Sequence, residues 1–120
     1  MLINLSNHPS AKWSEKQKQA AIIEFGWIHD IAFPQIDPKA ITEEIEKLAD
    51  KYVLECEHEF YLANIPESQQ AHNEAVHIVG EMTFCYAIIR KLQQHNIRCV
   101  ASTTERNVVE ESDGKKNSDF

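Results

Sequence analysis

A short apolar run, followed by a glycine and a helical pattern, constrains the fold more than any other stretch of this chain. Residues 75–79 predict a buried strand, Gly80 a tight junction, and residues 81–83 the first turn of a helix. Backbone N–H groups at such a junction lie at the carboxyl end of the strand, where open α/β sheets usually bind ligands. We therefore interpret this stretch as part of a ligand site.

The same alternation of strand and helix patterns extends along most of the chain. Four strands are predicted, at residues 2–5, 27–33, 75–79 and 97–101. Three helices alternate with them, at residues 15–25, 38–56 and 80–95. Ser14 and Gln17 match a capping box for the first helix, and the dipeptide Asp37-Pro38 is typical of the start of the second. Residues 57–73 are polar and contain Pro66, which predicts a helix end and a long surface connection.

This order predicts an α/β fold that spans residues 1–120 as one domain. The β-α-β-α-β-α-β pattern favours a parallel sheet with right-handed crossovers and helices on both faces. The first strand should lie between the second and the third, which places a topological switch point beside it. Val108-Val109 and the turn signal Asp113-Gly114 add a predicted C-terminal β-hairpin. The expected architecture is an open, Rossmann-like parallel sheet followed by that hairpin.

Charge and composition exclude several classes of function and location. The net charge is −7, and the basic residues form no cluster larger than a pair such as Lys115-Lys116, which argues against binding to long DNA or RNA. Backbone amides can still bind a small anionic ligand. No apolar run approaches the ~20 residues of a membrane span, and the N-terminus lacks the pattern of a signal peptide. We therefore expect a cytoplasmic protein that does not enter a membrane.

Motifs for common cofactors and metals are absent from the sequence. No GxGxxG follows the first strand, no GxxxxGK[ST] occurs, and the histidines show no HExxH spacing. The three cysteines, Cys56, Cys85 and Cys99, form no CxxC pair. Cys85 and Cys99 lie in apolar patterns and are expected to be small core residues of a protein kept in a reducing compartment. We therefore predict neither a cofactor nor a bound metal.

Polar residues follow three of the predicted strands, and their loops should meet at one rim of the sheet. They are Ser6, Asn7, His8 and Ser10 after the first strand, Gly80, Glu81 and Thr83 after the third, and Ser102, Thr103, Thr104, Glu105 and Arg106 after the fourth. Hydroxyls and amides of such loops can bind phosphate or ribose, and an arginine can pair with phosphate. A histidine there can serve as a general acid.

Each of these residues also has a plainer structural interpretation. Ser6 and Asn7 can shape a turn, and His8 beside Pro9 can be a surface loop residue. Gly80 can serve only to let strand and helix pack closely. Residues 102–104 can be caps or strand ends, and Arg106 can form an exposed ion pair with Glu105. The residue types alone leave both interpretations open.

Three segments of the chain resemble those of a known group of proteins. They are Leu2-Ile3-Asn4-Leu5-Ser6-Asn7-His8 before Ser14-Glu15-Lys16-Gln17, the Gly80-Glu81 junction, and Ser102-Thr103-Thr104-Glu105-Arg106 with the tail from Asp113 to Phe120. In them the chain resembles the small single-domain CRISPR-associated proteins of Rossmann-like (CARF-type) fold, which include stand-alone ring nucleases acting on cyclic oligoadenylates. Relatives of that group continue past Phe120, so we expect the last strand to be cut short here.

The resemblance implies a homodimer that binds cyclic tetraadenylate across its two-fold axis. It also implies metal-independent cleavage to linear diadenylate by attack of a ribose 2′-OH on the adjacent phosphate, which would switch off type III antiviral signalling. We expect His8, Ser6 and Arg106 to be catalytic. The expected ligand-binding residues are Asn7, Ser10, Gly80, Glu81, Thr83, Ser102, Thr103 and Thr104. Two alternatives stay open: a sensor or sponge that binds the messenger unchanged, and an interaction domain without a nucleotide ligand.

Overall fold

Four strands form one parallel sheet in the computed structural model, which describes residues 1–63, 74–101, 103–104 and 118–119. The strands are β1 (Leu2–Ser6), β2 (Ile28–Ala32), β3 (Ala75–Val79) and β4 (Cys99–Val100), in the order β2-β1-β3-β4. The described helices are α1 (Glu15–Phe25), α2 (Thr42–Ala63) and α3 (Met82–Gln94), with a 3₁₀ turn at Ser10–Lys12. The prediction that β1 lies between β2 and β3 is confirmed.

The helices cover both faces of the sheet, because successive strand side chains point to opposite sides. Leu2 and Ala75 pack with Ala21 and Phe25 of α1 on one face. The alternate residues of β1 and β3 pack against α2 and α3 on the other face; they are Ile3, Leu5, Val76 and Ile78. Every residue of β1 is buried, as expected for a central strand of a parallel sheet. The predicted α/β class is confirmed, and the sheet is consistent with a Rossmann-like fold.

The first helix has the ends that its sequence predicts. Ser14 is the N-cap, and its hydroxyl accepts a hydrogen bond from the backbone N–H of Gln17 at 3.1 Å. Gly26 ends the helix with φ of +93° and donates its N–H to the carbonyl of Ile22. A positive φ is readily adopted by glycine, so these local signals were sufficient to place the helix.

The second helix differs from its prediction at both ends. Asp37-Pro38 forms a turn rather than a helix start, because Asp37 accepts hydrogen bonds from the N–H groups of Lys39 and Ala40. The helix begins only at Thr42 and continues to Ala63. The prediction that it ends near Cys56 was wrong, since Phe60 extends the buried stripe by another turn. Residues 64–73, including Pro66, lie outside the described part.

The remaining elements agree with their predictions in position, though two strands are shorter. β3 has the predicted bounds, whereas β2 and β4 are confined to Ile28–Ala32 and Cys99–Val100. Thr103–Thr104 pairs antiparallel with Ser118–Asp119. The residues predicted to form the hairpin turn, Asp113-Gly114, lie outside the described part, so the C-terminal hairpin stays a prediction. Among the described helices, none is long and apolar enough to cross a membrane.

Candidate functional site

The carboxyl ends of β1 and β3 lie side by side and bring two of the three predicted loops to one edge. Ser6 is paired with Val79 in the parallel register, so the loop at residues 6–10 and the junction at residues 80–83 start from neighbouring strands. The chain then leaves toward α1 on one face and α3 on the other, which makes this edge the topological switch point. Of the third predicted loop, Ser102 and Arg106 lie outside the described residues, and only the backbone is described for Thr103 and Thr104.

The loop after β1 is built around the backbone carbonyl of His8. This oxygen accepts hydrogen bonds from Asn4 Nδ2 at 3.0 Å, Ser6 Oγ at 3.0 Å and Trp13 Nε1 at 3.2 Å. The Ser6 hydroxyl also accepts the backbone N–H of His8 at 3.0 Å. All three donor side chains are buried, with at most 8% exposure. The His8 peptide is therefore held from beneath by groups that solvent does not reach.

A row of polar side chains crosses three strands below this loop. Asn4 is aligned with Asp30 on β2 and with His77 on β3. Asn4 Nδ2 donates to Asp30 Oδ1 at 2.9 Å, and Asn4 Oδ1 lies 2.9 Å from His77 Nδ1. Ser10 donates its N–H and its hydroxyl to the Asp30 carboxylate, at 3.2 and 2.9 Å. The row thus ties both ends of the loop to the sheet.

The hydrogen bonds of Asn4 also settle the tautomer of His77. Both partners of Asn4 Nδ2, a carboxylate and a carbonyl, are acceptors, so the amide must present its oxygen to His77. His77 Nδ1 therefore carries a hydrogen and donates it. Burial first, and the charge of the nearby His8 second, lower the pKa of His77 to about 4. The imidazole is therefore neutral at neutral pH. It is part of the core, where Trp13 packs edge-on against it at 5.2 Å between ring centroids.

Two side chains of the loop point away from this internal network. Asn7 and His8 are exposed, and neither side chain forms a hydrogen bond or an ion pair within the described part of the chain. The hydroxyls of Ser6 and Ser10 are instead bonded to the His8 backbone and to Asp30. Asn7 and His8 are therefore the predicted residues of this loop whose functional groups are available to a ligand.

The junction after β3 is arranged for packing and capping. A Cβ on Gly80 would lie 2.3 Å from Cζ of Phe33, so the aromatic ring already fills the space that a glycine leaves here. Glu81 is the N-cap of α3 and accepts hydrogen bonds from Thr83 Oγ1 and from the Phe84 N–H at 2.9 Å. These bonds, that of Thr83 first, lower the pKa of Glu81. A phosphate approaching this helix terminus would have to compete with the carboxylate of Glu81.

Four residues that hydrogen-bond or pack beneath the loop after β1 were not among the predicted site residues: Asn4, Trp13, Asp30 and His77. Asn4 and His77 interrupt two apolar strands, and a polar residue inside a buried strand requires a hydrogen-bond partner. That signal is readable in the sequence. Which partner each residue finds depends on the register of β1 against β2 and β3, which the sequence does not reveal. The described residues contain no cluster of three or more His, Cys, Asp or Glu side chains that could hold a metal ion.

Comparison with known families gives the chain a place among relatives. A family model described as the uncharacterized protein MJ1673 family matches residues 1–120. The chain belongs to this family. Neither the curated proteins nor the solved structures contain a match. Membership of the MJ1673 family therefore leaves the activity to be argued from the site itself.

Proposed function

We propose that this protein binds a cyclic oligoadenylate, cyclic tetraadenylate first among them, and cleaves it to linear diadenylate without a metal. Such a ring nuclease would end type III CRISPR antiviral signalling. The observation that supports the proposal is the His8 peptide, which three buried donors hold at the switch point while the imidazole stays exposed. An acid–base group fixed at a ligand-binding edge is what aligned phosphoryl chemistry requires.

The proposed reaction needs a proton at one defined place. The ribose 2′-OH attacks the neighbouring phosphorus, the bond from phosphorus to O5′ breaks, and a cyclic phosphate forms. The leaving O5′ must take up a proton, which the imidazole of His8 would donate. The 2′-OH loses its proton to solvent, so neither a metal nor another reactant enters the balance.

The other predicted residues receive more limited roles in this proposal. Ser6 holds the loop, because its hydroxyl is bonded to the backbone of His8 on both the donor and the acceptor side. Asn7 is the exposed amide beside His8 and would contact the ligand. The fourth-strand segment is proposed to supply the phosphate contacts, with Arg106 as the cation. Gly80, Glu81 and Thr83 border the site from the side of α3.

The proposal includes a CARF-type Rossmann-like domain that acts as a cytoplasmic homodimer. A cyclic tetraadenylate has two-fold symmetry, so two copies of the same loop can each contact half of the ring. The chain carries a net charge of −7, which suits a small ligand held by a few directed contacts better than a long nucleic acid. The C-terminal hairpin would complete the domain beyond β4.

A sensor or sponge that binds the same messenger without cleaving it is the second candidate. The observation that favours it is the internal bonding of Ser6, Glu81 and Thr83. Among the described rim residues, this bonding leaves His8 as the acid–base group that is exposed and forms no internal hydrogen bond through its side chain. Binding without turnover would follow if a single imidazole does not suffice for the chemistry.

One incubation separates these possibilities. The full chain is mixed with cyclic tetraadenylate in EDTA, and the nucleotide is analysed by chromatography after removal of the protein. Linear diadenylate supports the ring nuclease, and recovery of intact ring from a stable complex supports the sensor. Absence of both binding and cleavage contradicts the proposal and favours an interaction domain. His8→Ala should abolish cleavage, whereas the matched control His58→Ala, at an exposed position of α2, should not.

A further inference from the structure

We infer that His77 is a positioning residue of this site, which holds His8 in place through the side chain of Asn4. The inference rests on the proposed function for its effect on catalysis, but its structural part does not depend on a ligand. His77 is 2% exposed and Asn4 1% exposed, so neither touches a ligand at the rim in this conformation. Their effect on the site has to pass through the hydrogen bonds they make.

Asn4 is the residue that connects the sheet to the His8 carbonyl. Its Nδ2 donates both to Asp30 Oδ1 and to the His8 carbonyl, while its Oδ1 accepts from His77. A rotation of the amide by half a turn would place Oδ1 against the carboxylate and the carbonyl, which are both acceptors. Only one orientation of the Asn4 amide therefore supports the loop.

His77 reinforces that orientation, because its Nδ1 lies 2.9 Å from the oxygen of the amide. A hydrogen on Nδ1 makes His77 a donor to Asn4 Oδ1. In the other neutral tautomer, Nδ1 would itself be an acceptor and would face the acceptor Oδ1 of Asn4. Among the described residues, the neighbours of the ring include Asn4 from β1, Val100 from β4 and Trp13, and the charge of His8 acts on it. Asp30 is linked to the ring through Asn4. These surroundings keep His77 neutral and fix its tautomer.

Two variants separate the effect of losing the hydrogen bond from the effect of losing the imidazole ring. His77→Leu removes the donor, while His77→Asn removes the ring but offers an amide N–H on the side of Nδ1. Both lose packing against Trp13, so a difference between them reports on the hydrogen bond to Asn4. In His77→Leu we expect the amide NMR signals of Asn7, His8 and Ser10 to shift and broaden, and single-turnover cleavage to slow by about tenfold or more. His77→Asn should retain most of both.

Long-range ¹H–¹⁵N NMR of the unmodified chain tests the same inference without any variant. At neutral pH the His77 ring should show a protonated Nδ1 and an unprotonated Nε2. The Nε2–H tautomer or a charged ring would overturn the inference, and so would loop signals in His77→Leu identical to those in His77→Asn. If the unmodified chain cleaves no cyclic tetraadenylate, the proposed function fails while the tautomer and the loop signals still decide the role of His77.

Discussion

Asn4 Oδ1 and His77 Nδ1 lie 2.9 Å apart across two neighbouring parallel strands, beneath the loop that carries His8. Parallel strands of an open α/β fold are normally apolar on both faces, because helices cover them. A polar pair here is stable only because each atom finds a partner, and those partners include the loop at the edge of the sheet. The pair therefore links the interior of the sheet to the candidate site.

Replacing Asn4 by alanine should destabilise the protein more than the small size of the asparagine side chain suggests. The change removes hydrogen bonds to Asp30, His77 and the His8 carbonyl and leaves the buried His77 donor without its acceptor. We expect the free energy of unfolding to fall by about 2–4 kcal/mol in urea denaturation. The control Asn7→Ala, at an exposed position, should stay within about 0.5 kcal/mol of the parent. Similar losses in both variants would contradict this role of Asn4.

Gly80→Ala should be destabilising because of Phe33 rather than because of the backbone. The added Cβ would lie 2.3 Å from Phe33 Cζ, and the ring is itself packed edge-on against Phe84 at 5.2 Å. We expect a loss of about 1–3 kcal/mol in the free energy of unfolding. In a Phe33→Ala background the same change should cost much less. Equal costs in the two backgrounds would show that the clash is not the cause.

The buried His77 should make stability depend on pH. Its pKa is about 4 in the folded chain, against an ordinary value of 6.5 for histidine, so between these values the unfolded state binds more protons. The stability that His77 contributes is complete above about pH 6.5 and is lost as the pH falls toward about 4, by about 3 kcal/mol in all. Urea denaturation across this range should show a shallower dependence for His77→Asn than for the parent. Parallel curves would contradict the prediction.

The extension of α2 beyond Cys56 can be tested with two adjacent aromatic residues. Phe60 is 8% exposed and belongs to the core beneath α2 and α3, whereas Tyr61 is 81% exposed. Phe60→Ala should lower the free energy of unfolding by about 3–5 kcal/mol, and Tyr61→Ala should change it by less than about 0.5 kcal/mol. Equal effects would mean that the helix does not pack as described.

Local signals in the sequence account for the elements that were predicted well. The bounds of α1 follow from a Ser14 cap and a glycine end, which act within a few residues. The predicted start of α2 was wrong because a local signal can be ambiguous. The dipeptide Asp37-Pro38 is compatible with a turn as well as with a helix start. The end of α2 was missed because Phe60 follows a run of charged residues, and only packing against the sheet shows that its face stays buried.

The candidate site could be predicted only in part, because it depends on contacts between distant strands. The polar loop after β1 was visible as a cluster of turn residues, and its position at the sheet edge followed from the topology. The pairing of Asn4 with Asp30 and His77 joins residues 26 and 73 positions apart in the chain. No local pattern encodes such a pairing, so the residues that hold His8 emerged only from the register of the sheet.

Amide chemical shifts can locate the proposed ligand on the protein residue by residue. Cyclic tetraadenylate is titrated into ¹⁵N-labelled protein in EDTA, and the shifts are followed residue by residue. We predict that the largest changes fall at Asn7, His8, Gly80 and Glu81. The signals of Trp27 and Asn96 should stay unchanged, because these residues precede β2 and β4 and so lie at the opposite edge of the sheet. Changes centred on Trp27 and Asn96, or no changes at all, would contradict a cyclic tetraadenylate site at the carboxyl ends of β1 and β3.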